Sequence, residues 1–430
     1  MDEDQPSILY IDTAYLTSLV WERGHEHFFH ARHSGGLFKR VWGCHPIADV
    51  VGKKGRKIDF IRFSDKQVVI EGVAEELNLP RFLLPLNFLY SQAKLVRTLA
   101  KVIRDNDISL IISTDPYYGG ILGMILRRMT GRKLALRIYA NYDELYHATG
   151  ALAMPRLLPF RWLEQLVGRF VLKRADLVTG GNQNNLDWGI INGATCPTGI
   201  STNARYVEQW HLDDPATRPP PEPVLEKFGI PTGRPMMLFI GRQIALKHPD
   251  DAIRAMAVAI GKHPEAIGIL AGTGAMRPQL EALVEELGMK GKIFFAGHVT
   301  QRDLSRLTPH SITLSPLTGM ALIECGLAAS AIVAYDRDWQ TEFIEDGVSG
   351  FVVPFRDHQA MGERAAQLIG DAALARRFSA AIRAHALVLA DRERIAAMDR
   401  QLYGSLLGLE APAQRQDPAE ARQAEPQPQA

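Results

Sequence analysis

At 430 residues the chain exceeds what one hydrophobic core normally serves; at about 150 residues per domain its length suggests two or three domains, and two are expected. Forty-nine Lys and Arg against 48 Asp and Glu leave no global field that would draw it to nucleic acid or to an anionic membrane, so a charged partner must be met by a local patch. Three widely spaced cysteines, Cys44, Cys196 and Cys325, supply neither a disulfide framework nor a CxxC metal pair, which fits a reducing, cytoplasmic setting. The start, MDEDQPSILYID, lacks the basic opening and long apolar stretch of a signal peptide, and no apolar run approaches the ~20 residues that span a bilayer. A soluble or peripheral protein is expected.

Short apolar, β-branched runs alternate with helical stretches, the pattern of parallel sheets built from strand–helix–strand units. A first domain over residues 1–216 carries predicted strands at Ile8–Asp12, Ser109–Thr114, Lys133–Ile138 and Asp176–Thr179. Within it, Met154–Arg174 interleaves aromatic and basic residues, as an interfacial helix does and as an amphipathic helix packed on its own sheet also does. Residues 217–235 contain RPPPEP and IPTGRP, where prolines remove backbone donors, and read as a linker. A second domain over 236–391 carries strands at Met236–Ile240, Ile267–Ala271, Lys292–Ala296, Ile312–Ser315 and Ala331–Tyr335, then helices at Asp357–Ile369 and Asp371–Ala390. A last helix, about 392–408, is expected to pack back on the first domain, and the tail 410–430, almost without apolar residues beyond alanine, to stay disordered.

Ligands of open parallel sheets bind at the carboxyl ends of the strands. The first such end of the second domain reads MMLFIGRQIALKHPDDAIRAM, a strand, a turn at Gly241 and a helix beginning at Pro249, a residue suited to a first helical position. Arg242 and Lys247, with His248 beside them, stand where the helix already carries partial positive charge; a diphosphate would complete that site, and solvated surface cations are the competing reading. The next junction, GILAGTGAMRPQLEAL, puts Gly272 and Gly274 where backbone approaches a ligand closely or makes a plain tight turn. In TLSPLTGMALIECGLAAS, Glu324 lies in a helix of small and apolar residues. A buried carboxylate needs donors, which two sugar hydroxyls supply as well as a cap or salt bridge would. Thr318 is expected to cap this helix and leave the amides of Gly319 and Met320 for an oxyanion.

Together GRQIALK, LAGTGAMRPQLE, FFAGHVTQRDL and TGMALIECGLAASAIVAYDRDWQTEFIEDGVSGFVVP resemble the family 4 (group 1) retaining glycosyltransferases, closely from Met236 to Pro354 and more loosely elsewhere. In the first domain DPYYGGILGMILRRMTGRKLALRI carries the likeness. The resemblance implies an α/β protein of GT-B fold, two facing Rossmann-like domains with parallel sheets and an interdomain cleft, the donor held by the second. It implies that Arg242 and Lys247 bind the donor diphosphate and carry catalysis, that Glu324 binds the ribose, and that the backbone at His298 and Val299 lies against the base. The family's pattern has a second glutamate eight residues earlier, where this chain has Pro316, and a Gly and a Pro where it has Ala329 and Ala331. The histidine that often follows the strand ending at Ile138 is replaced by Tyr139, so no catalytic histidine is assigned.

By resemblance the reaction moves a sugar from a nucleotide-diphosphate sugar to a hydroxyl of a glycan, lipid-linked or small-molecule acceptor, with retention and with no metal or other cofactor. Fixed cations at the leaving phosphate are its main lever. Acceptor-side candidates are polar groups at first-domain strand ends, Asp115, Asn141 and Asp143, with His33, Gly35 and Gly36 in the loop after the first strand; turn and capping chemistry competes for each. His25, His27, His30 and His33, with Cys44 and His45, match no common zinc spacing, and no metal is assigned. A lipid-linked acceptor would bring Met154–Arg174 to the inner face of a membrane. Two other readings stand beside this one: a nucleotide-sugar epimerase or hydrolase, and a degenerate protein that binds nucleotide sugar or glycan without turnover.

Overall fold

The computed structural model describes residues 5–13, 20, 27–51 and 57–409; the expectations for His25 and for the tail 410–430 lie outside the described residues. The first domain is built on an eight-stranded sheet of order β3-β4-β2-β1-β5-β6-β7-β8. Its strands are β1 Ser7–Ile11, β2 Arg40–His45, β3 Asp59–Ser64, β4 Gln67–Glu71, β5 Ile108–Ser113, β6 Lys133–Ile138, β7 Leu177–Gly180 and β8 Thr198–Ile200. Every pair is parallel except β3 with β4, an edge hairpin. Helices α1 (Leu84–Asp105), α2 (Tyr118–Thr130), α3 (Tyr142–Thr149), α4 (Arg161–Leu172) and α5 (Gln183–Ile191) follow β4, β5, β6 and β7 in turn. Successive right-handed crossovers running one way along the sheet place their helices on one face. Leu95, Leu99 and Ile103 of α1, Leu122 and Leu126 of α2 and Val171 of α4 accordingly share one core with Ile111, Leu134 and Leu136.

The stretch 217–235 is more than a linker. Helix α6 (Glu222–Lys227) forms in it, with proline in its first turn where no backbone donor is lost, and Val224, Leu225 and Ile230 enter the second domain's core. That domain has a six-stranded parallel sheet, β11-β10-β9-β12-β13-β14. Its strands are β9 Met236–Ile240, β10 Ile267–Ala271, β11 Ile293–Gly297, β12 Ser311–Ser315, β13 Ala331–Tyr335 and β14 Phe351–Val353. Between them lie α7 (Pro249–Lys262), α8 (Arg277–Glu286) and α9 (Ala321–Leu327), followed by α10 (His358–Gly370) and α11 (Ala372–Leu389).

The chain then returns to the first domain. Helix α12 (Arg392–Asp399) and the residues after it place Tyr403, with Leu402 and Leu406, against Ile8, Tyr10 and Ile112 on the face of the first sheet opposite α1 and α2. Asp399 receives two hydrogen bonds from Arg205, and both side chains are buried.

Candidate functional site

The carboxyl ends of the two sheets face each other across a cavity of about 1270 Å³. From the second domain it is lined by Arg242, Lys247, Gly319, Met320, Asp338 and Arg356, and from the first by Asp115, Tyr139, Asn141 and Gln183, among others. Gly241, Gly272, Gly274, His298, Val299, Thr318 and Glu324 stand outside this lining.

Gly272 and Gly274 serve a contact between loops. A Cβ at Gly272, where φ is +139°, would sit 1.9 Å from the Gly241 carbonyl oxygen, and one at Gly274 would sit 2.2 Å from that of Gln243. Side chains are excluded there because the loop after β9 lies directly on the loop after β10. The clamp is completed by Gln243 N donating to Thr273 O (2.9 Å), Met276 N to Gln243 O (3.0 Å) and Gln243 Nε2 to Gly272 O (2.9 Å). What approaches these glycines is the loop that carries Arg242, which the clamp holds toward the cavity.

Arg242 is exposed and Lys247 half-buried, and among the described residues neither makes an ion pair. Burial lowers the Lys247 pKa, Asp338 opposes that shift and Arg242 reinforces it. The amine lies 4.0 Å from where a Cβ on Gly319 would be, so the loop after β12 faces it without a side chain between. Helix α7 does begin at Pro249, directly after Lys247 and His248, and a helix start carries free amides and partial positive charge. His248 adds no charge to this corner. Its Nδ1 is bonded to an Arg356 guanidinium that can only donate, so the proton of the neutral ring is on Nε2; burial, then Arg356, lowers its pKa to about 4.

Thr318 does not cap α9. Met320 occupies the N-cap position, no side-chain cap forms, and Thr318 Oγ1 is buried without a hydrogen-bond partner among the described residues. Eight residues before Glu324, the Pro316 carbonyl accepts from Gln340 Nε2 (3.1 Å), which also donates to Tyr335 O (3.2 Å), while Gln340 Oε1 accepts from Ser315 Oγ. This fully buried amide, absent from the sequence reading, fixes the ends of β12 and β13 together. Glu324 accepts from Gln301 Nε2 (3.2 Å), and burial, with Glu208 adding to it, pushes its carboxyl up to about 7. Val299 is a core residue beside Leu322 and Ile323, and His298 is exposed.

On the first-domain wall the polar groups bind one another. Asp115 accepts from the amides of Tyr117 (2.9 Å) and Gly119 (3.0 Å), and burial raises its pKa to about 6. Asn141 caps α3 by accepting from Glu144 N (3.2 Å) and donates to Asn184 (3.2 Å). Asp143 is turned away from the cavity, to Arg161, Trp188 Nε1 (2.7 Å) and Asn192 (3.3 Å). Burial would raise its pKa, and these donors hold it below its ordinary value. His33, Gly35 and Gly36 are not at the cleft either: the His33 ring bonds Phe38 O (2.9 Å), and a Cβ on Gly35 would meet Ala396 of α12 at 2.4 Å. They form the turn under the C-terminal helix.

Two features of this wall had no sequence signal. The hydroxyl of Tyr139 lies 2.7 Å from those of Tyr10 and Tyr206, with the Arg137 guanidinium 5.0 Å from its ring centre. Across the cleft, Glu342 accepts from the amides of Gln183 and Asn184 (2.7 Å each) at the start of α5, and Asn184 Nδ2 donates to Asp338 (2.7 Å). These bonds join residues more than 150 positions apart.

Two facing Rossmann-like domains, with the carboxyl ends of their sheets meeting across a cleft, define a GT-B fold. Residues 222–385 match the family model of the glycosyl transferases group 1. Similar proteins include an alpha-D-kanosaminyltransferase of Streptomyces kanamyceticus, 28% identical over 36% of this chain and 41% of that protein, and a D-inositol 3-phosphate glycosyltransferase of Streptomyces scabiei, 30% identical over 37% and 39%. The chain thus spans about two fifths of the length of these relatives. Among solved structures, sucrose-phosphate synthase from Thermosynechococcus elongatus superposes with a TM-score of 0.70 at 17% identity, over 94% of this chain and 100% of that one. Anabaena Alr3699/HepE in complex with UDP does so at 0.68 and 16%, over 93% and 100%. Residues 222–385 thus resemble the group 1 glycosyl transferases, and the chain as a whole has the GT-B fold.

Proposed function

We propose that the protein transfers a sugar from a nucleotide-diphosphate sugar to a hydroxyl acceptor, with retention at the anomeric carbon, in the assembly of a glycan, polysaccharide or glycolipid. The observation that carries this reading is the pair Arg242 and Lys247 beside the amino end of α7, neither in an ion pair among the described residues, with the Lys247 amine 4.0 Å from where a Cβ on Gly319 would be. Two cations beside a helix start are stabilised by an anion bound among them. In the transfer, the leaving diphosphate gains negative charge as the sugar becomes cationic, and these groups lower the barrier by meeting that charge in place. In the proposed front-face step the leaving phosphate takes the acceptor proton, so the chain supplies no nucleophile and no metal or cofactor is required. Glu324 is assigned to the ribose and the backbone at His298 and Val299 to the base; the acceptor is assigned to the wall that carries Asp115, Tyr139 and Asn141. Support for sugar transfer comes from the names of the two transferases above, and support for a nucleotide-sugar donor from the fold likeness to a protein solved with UDP-glucose. A cytoplasmic setting, with peripheral membrane contact through the first domain, completes the reading.

Incubation with UDP-, GDP- and ADP-sugars tests it. Slow release of nucleotide, with an acceptor product whose anomeric proton keeps the donor's configuration by NMR, is the expected result; an inverted product would remove retention. A second reading, binding without turnover, is favoured by Pro316, whose pinned carbonyl stands where the family has a carboxylate. Tight nucleotide-sugar binding with no hydrolysis or transfer over the whole panel would establish that reading instead.

A further inference from the structure

The outer surface of the first domain's helical layer is both greasy and basic. On α1 the stripe that faces the core is complete with Leu95, Leu99 and Ile103, yet Leu86 and Leu89 are exposed on the opposite side, as is Phe82 just before the helix, 79% accessible. The same holds across the layer: Phe160, Trp162 and Leu166 at the start of α4 project outward, with Trp162 at 63% accessible. None of these six side chains belongs to a core cluster. Large apolar side chains grouped on one exposed face mark a surface that meets something apolar.

Charge follows the same geometry. Residues 81–105, 118–133 and 154–174, which contain α1, α2 and α4, hold fourteen Lys and Arg against two acids, Asp105 and Glu164, in a chain whose formal net charge is +1. Glu164 is buried against Arg161, while Arg127 and Arg132 are paired with Asp176 and Asp107 from neighbouring loops. Arg97, Lys101, Arg104, Arg128, Arg169 and Lys173 are exposed and unpaired among the described residues. Along α1 the exposed stripe passes from Leu86 and Leu89 to Arg97, Lys101 and Arg104, and along α4 from Trp162 and Leu166 to Arg169 and Lys173. Each helix is thus apolar at its amino end and basic at its carboxyl end.

In a parallel sheet with helical crossovers the amino ends of the helices lie at the carboxyl edge of the strands, which here is the cleft edge. Ala153 and Met154, just ahead of Phe160, line the cavity itself. Resting on the transferase reading above, we infer that this face docks on an anionic lipid bilayer, the amino ends of α1 and α4 entering the interface and the basic carboxyl ends lying against headgroups. Aromatic and leucine side chains bury in the headgroup–acyl boundary, and cations beside them are held by acidic lipid. A nucleic acid would meet the cations but leave six large apolar groups in water. Docked so, the mouth of the cleft opens at the bilayer, where a lipid-linked acceptor presents its hydroxyl.

Flotation of the full chain with phosphatidylcholine vesicles, with and without phosphatidylglycerol, tests this. Binding is expected only with the anionic lipid and is expected to weaken with added salt. Leu86→Ser and Trp162→Ser should each weaken it about ten-fold, from the lost burial of one large side chain. Arg97→Gln and Arg169→Gln should each weaken it about five-fold. Nucleotide binding, measured by calorimetry on the same preparations, should be unchanged in all four variants. Equal binding to both vesicle types, or no binding to either, overturns the inference, and intact nucleotide binding in that case leaves the donor reading standing. Vesicle binding without any nucleotide binding would do the reverse. A vesicle-free dimer in sedimentation velocity that Trp162→Ser dissociates would assign the face to a second copy and also overturn the inference.

Discussion

Asp115 and Asn141 on one wall of the cleft, and Asp143 behind it, each accept hydrogen bonds from neighbouring backbone or side chains, and the hydroxyls of Tyr10, Tyr139 and Tyr206 bond one another. On the other wall, among the described residues, Arg242 and Lys247 make no ion pair and Thr318 Oγ1 has no partner, and Gly319 offers backbone without a side chain. Both walls sit at the carboxyl ends of parallel strands, so position in the fold does not distinguish them. Saturation does. A polar group whose partners are already present fixes structure, and one left open at a convergence of charge is where a ligand is stabilised.

The largest effect expected from this contrast lies behind the saturated wall. Asp399→Ala strands the Arg205 guanidinium, buried and bound to Asp399 by two hydrogen bonds. Loss of one partner of a buried pair costs about 3–5 kcal/mol. Urea denaturation should show that loss, while calorimetry on the folded fraction shows nucleotide affinity unchanged; weakened nucleotide binding would mean the two walls are coupled.

Lys247→Ala and Arg242→Ala probe the open wall and should behave in the opposite way. Each should lower affinity for a nucleoside diphosphate by about 1.5–3 kcal/mol, the range of charge-assisted hydrogen bonds, and leave the melting temperature close to that of the parent. Unchanged affinity in both variants would remove the diphosphate assignment and with it the proposed function.

Glu342→Gln tests the junction between the walls. The carboxylate caps the start of α5 from the other domain, and a cap contributes about 0.5–2 kcal/mol. The variant should be more open by small-angle scattering in the absence of ligand, with unfolding of each domain little altered. An unchanged scattering profile would show that the contact follows closure and does not favour it.

How much of this was legible in the sequence divides along similar lines. The limits of β9, β10 and β13 match their apolar runs because these strands are buried on both faces and leave no alternation to misread. Strands β2, β3, β4, β8 and β14 went unread: β3 is exposed at most positions, Gly43 interrupts β2, and β8 and β14 have three residues each. Arg242 and Lys247 were visible because local charge beside a helix-starting proline is a one-dimensional signal. Gln340, Gln301 and Glu342 were not, since each acts on a residue brought close only by the tertiary fold. His33, Gly35 and Gly36 looked like a ligand loop for the same reason: the helix they support, α12, lies at the far end of the chain.

The smallest expected effect is the most selective. Glu324 stands outside the cavity lining, and its carboxyl is raised from 4.5 to about 7, by burial first and by Glu208 second. A raised carboxyl binds its proton more tightly in the folded state, so stability declines as pH climbs from about 4.5 toward 7 and is level above that. Ribose recognition runs the other way, because two hydroxyls donate to an ionised carboxylate. Affinity for a nucleoside lacking phosphates should therefore rise between pH 6 and 8 by roughly the change in ionised fraction, and Glu324→Gln should flatten that rise while leaving the Lys247-dependent diphosphate affinity in place. Titration calorimetry across this range decides the matter. A flat profile in the parent, with the pH dependence of melting still altered by Glu324→Gln, would assign Glu324 to the saturated class, as the acceptor of Gln301 and nothing more.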